Sequence, residues 1–160
     1  MQTSNYLSQD FIFESWYVAA WDHEVSTGQM LARTLLDQPV LLYRDTQGQV
    51  VALADKCCHR AAPLSHGRLE GDAVRCMYHG MKFDRRGQCI DIPGQEQIPA
   101  KACVRSYPVF EKDRFIWIWM GEPDKADPAS LPQIPDRESD AFDWVSGYLH
   151  VEGNYQLVSD

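Results

Sequence analysis

The sequence predicts an all-β domain, a small antiparallel sandwich or barrel with two hairpin loops at one end, followed by the start of an α+β domain. Three observations carry that expectation. Short β-prone runs recur at close spacing, joined by turns rich in Gly and Asp, as in small sandwiches and barrels. Cys57-Cys58-His59 and Cys76-Met77-Tyr78-His79 twice place a thiol near an imidazole, with sixteen residues between the pairs, which puts them on two separate loops. Beyond Gly121 the β pattern gives way to repeated proline.

Residues 1–15 read as an N-terminal arm, and residues 16–121 as the main domain. Trp16-Tyr17-Val18-Ala19-Ala20-Trp21 is apolar and β-prone, which makes it the opening strand. Met30 to Leu36, Val40 to Tyr43 and Gln49 to Ala54 follow as strands. The last two are joined by Arg44-Asp45-Thr46-Gln47-Gly48, a hairpin signal with its glycine. Leu69-Glu70-Gly71-Asp72 turns the chain into Ala73 to Cys76, and Asp84-Arg85-Arg86-Gly87 turns it into Gln88-Cys89-Ile90. Val104 to Glu111 and Phe115 to Met120 form a hairpin across Lys112-Asp113-Arg114. Residues 122–141 are proline-rich; proline fixes φ and donates no ladder hydrogen bond, so they are expected to be a linker. Residues 142–160 are expected to begin a second domain, with a strand over Phe142 to Val151 and a helix starting in Gly153 to Val158.

At 160 residues and 44% hydrophobic, the chain can build one good core and the start of another. A formal charge of −8 argues against nucleic acid, whose recognition needs clustered Lys and Arg. Five cysteines, an odd number, do not form a secreted disulfide framework. Met1 to Glu14 lacks the basic and apolar regions of a signal peptide, and no run approaches the ~20 apolar residues of a membrane span. A reducing cytoplasm is the expected compartment.

The two Cys/His pairs carry the chemistry. A [2Fe–2S] cluster with mixed ligation needs two Cys on one iron and two His on the other. Each loop offers one donor of each kind. Cys57 and Cys76 are therefore expected to hold one iron, and His59 and His79 the other. Neutral imidazoles leave the oxidised cluster less negative than four thiolates would, which makes an added electron easier to accept. The expected potential lies in a window of roughly −150 to +300 mV, against about −400 mV for plant-type clusters. A one-electron relay is the natural use. A Cys₂His₂ zinc site has the same donors, but zinc sites usually space their Cys pair by two to four residues and their His pair by three to five. Here Cys and His alternate, and a single residue separates the first two.

The stretches Cys57-Cys58-His59-Arg60-Ala61-Ala62-Pro63-Leu64-Ser65 and Cys76-Met77-Tyr78-His79-Gly80-Met81-Lys82-Phe83 resemble the cluster-binding loops of Rieske non-haem iron oxygenases. Cys58 stands where proline is usual. The disulfide cysteines of respiratory Rieske proteins are replaced by Ala62 and Tyr78. Their Ser and Tyr donors to sulfur are replaced by Met81 and Phe83, which cannot donate, so the resemblance implies the low end of the Rieske window. Trp16 to Ala20, Ile92-Pro93-Gly94-Gln95, Val104 to Val109 and Ile116 to Trp119 are most similar to the vanillate O-demethylase and dicamba-type monooxygenases.

That resemblance implies the oxygenase component of an aromatic monooxygenase, O-demethylating a methoxylated aromatic acid with O₂. Electrons would come from NAD(P)H through a reductase or ferredoxin, to a mononuclear Fe(II) beyond residue 160. It also implies a homotrimer in which His79 is the electron exit towards a neighbouring subunit. No catalytic residue is expected within 1–160, so the segment alone would be inactive. A ring-hydroxylating dioxygenase of the same superfamily and a free-standing Rieske ferredoxin are the alternatives. The remaining cysteines, Cys58, Cys89 and Cys103, read as reduced small hydrophobes, and His23, His66 and His150 as surface or core histidines. Arg60, Arg68, Arg75, Arg85 and Arg86 form either a docking collar for an acidic partner or ordinary solvated turns.

Overall fold

The computed structural model describes residues 11–134, 140–145, 147–153 and 158. The first part of the expected arm and most of the expected helix start therefore lie outside the described residues. The strands are β1 (Trp16–Trp21), β2 (Met30–Leu35), β3 (Gln38–Arg44), β4 (Val50–Ala54), β5 (Arg68–Glu70) and β6 (Ala73–Arg75), then β7 (Lys82–Phe83), β8 (Cys89–Asp91), β9 (Ser106–Tyr107), β10 (Val109–Lys112) and β11 (Phe115–Trp119). They form three antiparallel sheets, ordered β1-β11-β10, β2-β3-β4-β9 and β5-β6-β7-β8.

The second of these is the middle layer, and the sequence of β3 shows why. Side chains alternate across a strand. Val40 and Leu42 enter one core with Ala52, Ile116 and Ile118, while Leu41 and Tyr43 enter another with Leu53, Val74 and Phe83. A strand buried on both faces reads as an unbroken apolar run, and each fully buried Leu or Ile contributes about 1.5–3 kcal/mol. The second core also contains Cys57, Cys76 and Met81.

Two hairpin turns share the pattern Asp-x-x-Gly-Gln and the same bonding. Asp45 and Asp84 each accept two backbone N–H groups through Oδ1, from Gln47 and Gln49 and from Arg86 and Gln88. Gly48 and Gly87 supply the positive φ, +80° and +79°. The short Asp side chain imitates a turn carbonyl, which fixes both hairpins locally. Arg85 of the second turn then reaches the buried Asp45 of the first at 3.1 Å.

Some expectations are corrected. The single strand over Val104 to Glu111 is two strands: β9 pairs with β4, and β10 pairs with β11. Pro108 stands between them, without an N–H for either ladder, and its carbonyl accepts the Trp119 N–H at 2.9 Å. β2 ends at Leu35, because Leu36 and Asp37 form a two-residue turn at φ +48° and +58°. Among the described residues of 142–151 there is no strand, and Val145, Tyr148 and Leu149 are exposed. A strand exists only against a partner, and no described strand lies beside this one. Of the stretch expected as a linker, residues 122–132 are mostly exposed and are pinned to the domain at a few points. Prolines open 3₁₀ turns at Pro123–Lys125 and Pro128–Ser130, and Leu131 is buried. The indole N–H groups of Trp119 and Trp16 donate to the carbonyls of Glu122 and Asp127, both at 3.0 Å.

Candidate metal centre

The two loops at one end of the middle and third sheets are built alike. In the first, the Cys57 N–H donates to Ala62 O and the Ala61 N–H to Cys57 O; in the second, the Cys76 N–H donates to Met81 O and the Gly80 N–H to Cys76 O. Both rings need a left-handed residue at the same place, Ala61 at φ +55° and Gly80 at φ +77°. His59 lies two residues after its Cys, and His79 three.

Alanine in the left-handed region is strained by its Cβ, at a cost of roughly 1 kcal/mol. Ala61→Gly is thus expected to raise the melting temperature by up to about 2–4 °C, less whatever glycine adds to unfolded-chain entropy. Gly80→Ala should do the reverse, because a Cβ there would also meet Pro93 at 2.8 Å. Thermal melts of the two variants check both signs.

The rings bring like donors together across the loops. Cys57 and Cys76 are buried, and the Cys76 thiol lies within hydrogen-bonding reach of Cys57. Burial pushes the Cys57 thiol up to about 11, opposed by the His59 backbone N–H and reinforced by Cys76. Burial thus favours the protonated form of the Cys57 thiol, and a metal binding there must displace its proton. On the outer side, the His59 and His79 rings face each other with centroids 4.7 Å apart, and the Tyr78 ring lies 3.9 Å from His79. Among the described residues no three His, Cys, Asp or Glu side chains converge as one ion would require. A buried thiol pair beside an exposed imidazole pair is the donor set that a two-iron cluster of mixed ligation demands, so the residues present fit that group.

Anchors that sequence reasoning missed hold the loops. Asp55 is buried, and its two carboxylate oxygens accept the Ser65 N–H at 2.7 Å and the Ser65 hydroxyl at 2.6 Å. Arg75 donates to Gly80 O at 2.6 Å, to Asp91 at 2.7 Å and to Glu70 at 2.7 Å. Arg75, Arg68 and Lys82 together hold the Glu70 carboxyl down to about 2. Its folded value lies below the ordinary 4.5, so its contribution is fully present above pH ~4.5 and disappears as pH falls towards 2. Glu70→Gln is expected to lower the melting temperature at pH 6 and to converge on the unsubstituted protein near pH 2. A deficit that persists unchanged in acid would show that charge pairing is not its origin.

Other sequence candidates fall elsewhere. Cys58 is exposed beside the histidines, Cys89 is buried in the second core, and Cys103 is half-buried. Met81 and Phe83 are both buried and, lacking donors, leave hydrogen bonding at the centre to the backbone. His23 lies against Trp21 and Asp22, away from the loops. Of the five arginines, Arg68, Arg75 and Arg85 are engaged in ion pairs with Glu70, Asp91 and Asp45. An open depression of about 580 Å³ borders the His pair, lined by Met81, Ile92, Pro93, Pro99 and Ala102 among others.

Residues 15–108 match the Rieske [2Fe-2S] domain model. The chain is 55% identical over 150 residues to the toluene-4-sulfonate monooxygenase system iron-sulfur subunit of Comamonas testosteroni, covering 94% of this chain and 43% of that protein. It is 48% identical over 151 residues to the oxygenase component of dicamba O-demethylase from Stenotrophomonas maltophilia, covering 94% and 44%. The crystal structure of apo dicamba monooxygenase superposes with a TM-score of 0.87 at 46% identity, covering 94% of this chain and 47% of that one. The chain thus spans less than half the length of these relatives. It belongs to the Rieske [2Fe–2S] domain family, and its relatives are oxygenase components.

Proposed function

We propose that Cys57 and Cys76 hold one iron of a [2Fe–2S] cluster, that His59 and His79 hold the other, and that this chain is the cluster-bearing part of a Rieske monooxygenase oxygenase component. The observation that carries this reading is the cross-loop pairing, with thiols together inside and imidazoles together outside. The cluster, when bound, supplies a one-electron carrier. The protein's part is to bury the thiol side, to leave the imidazole edges at the surface, and to offer no side-chain donor from Met81 or Phe83. This supports a potential at the low end of the Rieske window. The exposed His79, backed by Tyr78, is the exit we assign for the electron.

The full-length protein, by similarity to its relatives, would hold a mononuclear Fe(II), activate O₂ and take electrons from an NAD(P)H-dependent reductase or ferredoxin. It would work as a cytoplasmic homotrimer, with residues 122–141 leading from the Rieske domain to a catalytic domain. No helix among the described residues is long and apolar enough to cross a membrane. Our first reading of the substrate is a methoxylated aromatic acid, by likeness to the dicamba enzyme. The 55% identity to the toluene-4-sulfonate system favours an aromatic sulfonate as the second.

Assay of the full-length protein with a reductase against methoxylated benzoates and methyl-substituted benzenesulfonates separates the readings. Formaldehyde from the former supports O-demethylation, and a benzylic alcohol from the latter supports methyl hydroxylation. Reversible one-electron chemistry with neither product would leave an electron carrier and end the oxygenase proposal.

A further inference from the structure

We propose that Asp55 and Ser65 are positioning residues for His59, an assignment that rests on the cluster reading above. Asp55 follows the end of β4, with its own N–H held by Pro39 O of β3 at 2.9 Å. Ser65 lies in the returning limb of the first loop, in a 3₁₀ turn whose neighbour Leu64 is wholly buried. The fork of two bonds from Ser65 to the Asp55 carboxylate therefore ties the departing limb to the returning one. The inner ring from Cys57 to Ala62, which carries His59, is enclosed by that tie.

The second loop is held differently. Arg75 grips its ring directly, at the Gly80 carbonyl, and is itself braced by Glu70 and Asp91. The first ring has its brace one step further out, at Asp55 and Ser65. Loss of that brace frees the returning limb, and with it the ring that presents the His59 imidazole to His79 across 4.7 Å. A ligand a fraction of an ångström out of place changes the site it serves.

Each hydrogen bond to a charged acceptor biases the closed loop by roughly ten- to a hundred-fold. In Asp55→Ala the amide exchange of Ala61, whose N–H closes the inner ring, should accelerate by about tenfold or more. The g-values of the reduced, cluster-loaded protein should shift or broaden, since they report ligand geometry, and the midpoint potential should move with them. If Asp55→Ala does not fold, Ser65→Ala removes the hydroxyl arm of the fork while keeping the N–H arm, and should give smaller changes of the same kind. Ser65→Thr keeps the hydroxyl and should restore both the exchange rate and the spectrum.

Wild-type g-values, potential and Ala61 exchange in Ser65→Ala, with nothing changed but the melting temperature, would overturn the proposal. If the unsubstituted loaded protein shows no mixed nitrogen–sulfur two-iron signal, the cluster reading itself fails, and the assignment to His59 with it. Exchange at Ala61 would then still show separately whether the clamp holds the loop.

Discussion

Cys76→Ala is expected to abolish iron binding, taking the loaded protein from about two irons per chain to none and bleaching its visible absorbance. On the proposed ligation, loss of one thiolate would leave an iron with a single protein sulfur, too few to hold the cluster. Cys89→Ala is the informative control. Cys89 is as secluded as Cys76, at 8% against 3% exposure, and packs in the same core. Its thiol bonds only weakly, 3.5 Å from Asp91 O. Its loss should cost about 0.5–3 kcal/mol of packing and leave iron content unchanged. Iron analysis and absorbance of the two variants decide the matter. Retention in Cys76→Ala with loss in Cys89→Ala would mean that the wrong thiols have been assigned.

Gly67→Ala should be the most damaging substitution outside the ligands. Gly67 has a negative φ, −83°, so a left-handed conformation is not what calls for glycine. Space does. A Cβ there would stand 2.1 Å from the Arg75 carbonyl oxygen and 2.9 Å from that of Leu64, both backbone atoms that cannot swing aside. Gly67 leaves the first loop, and Arg75 leads into the second. The added methyl would part the bases of the two loops while leaving all four candidate ligands unsubstituted. A loss of roughly 3–5 kcal/mol is expected, about 10 °C or more in melting temperature, with reduced iron content. Gly94→Ala offers the contrast, with φ +74° but nothing within 4 Å, and should cost only about 1 kcal/mol. Equal melting temperatures in the two variants would remove the close-packing argument.

The parts of the molecule written in local chemistry were legible in the sequence. β1, β3, β4 and β11 announced themselves as apolar, β-branched or aromatic runs, and Gly48, Gly71 and Gly87 marked turns where positive φ is needed. The four ligand candidates stood out because Cys and His are rare and their spacing is specific. What stayed hidden depends on partners distant in sequence. Asp55 looked like any polar loop residue until Ser65 folded back onto it. Arg75 read as part of a possible docking collar, because a string of letters does not show that Glu70 and Asp91 already neutralise it. The turn at Leu36-Asp37 lacks the glycine that usually signals positive φ. Pro108 was a signal in plain view, since proline inside a β run argues against one continuous strand. The docking of residues 122–132 could not be read from their prolines, because it depends on the indole donors of Trp16 and Trp119.

The crossover at Pro108 has a consequence for how the molecule comes apart. One short stretch supplies the edge of the middle sheet through Ser106 and Tyr107, and the edge of its neighbour through Val109 to Lys112. The Arg44–Glu111 pair fastens the same two layers, at 2.6 Å. Neither layer can peel away without dragging its neighbour's border strand along. Heating should therefore melt both in a single calorimetric peak, with no half-molten species in which one survives the other.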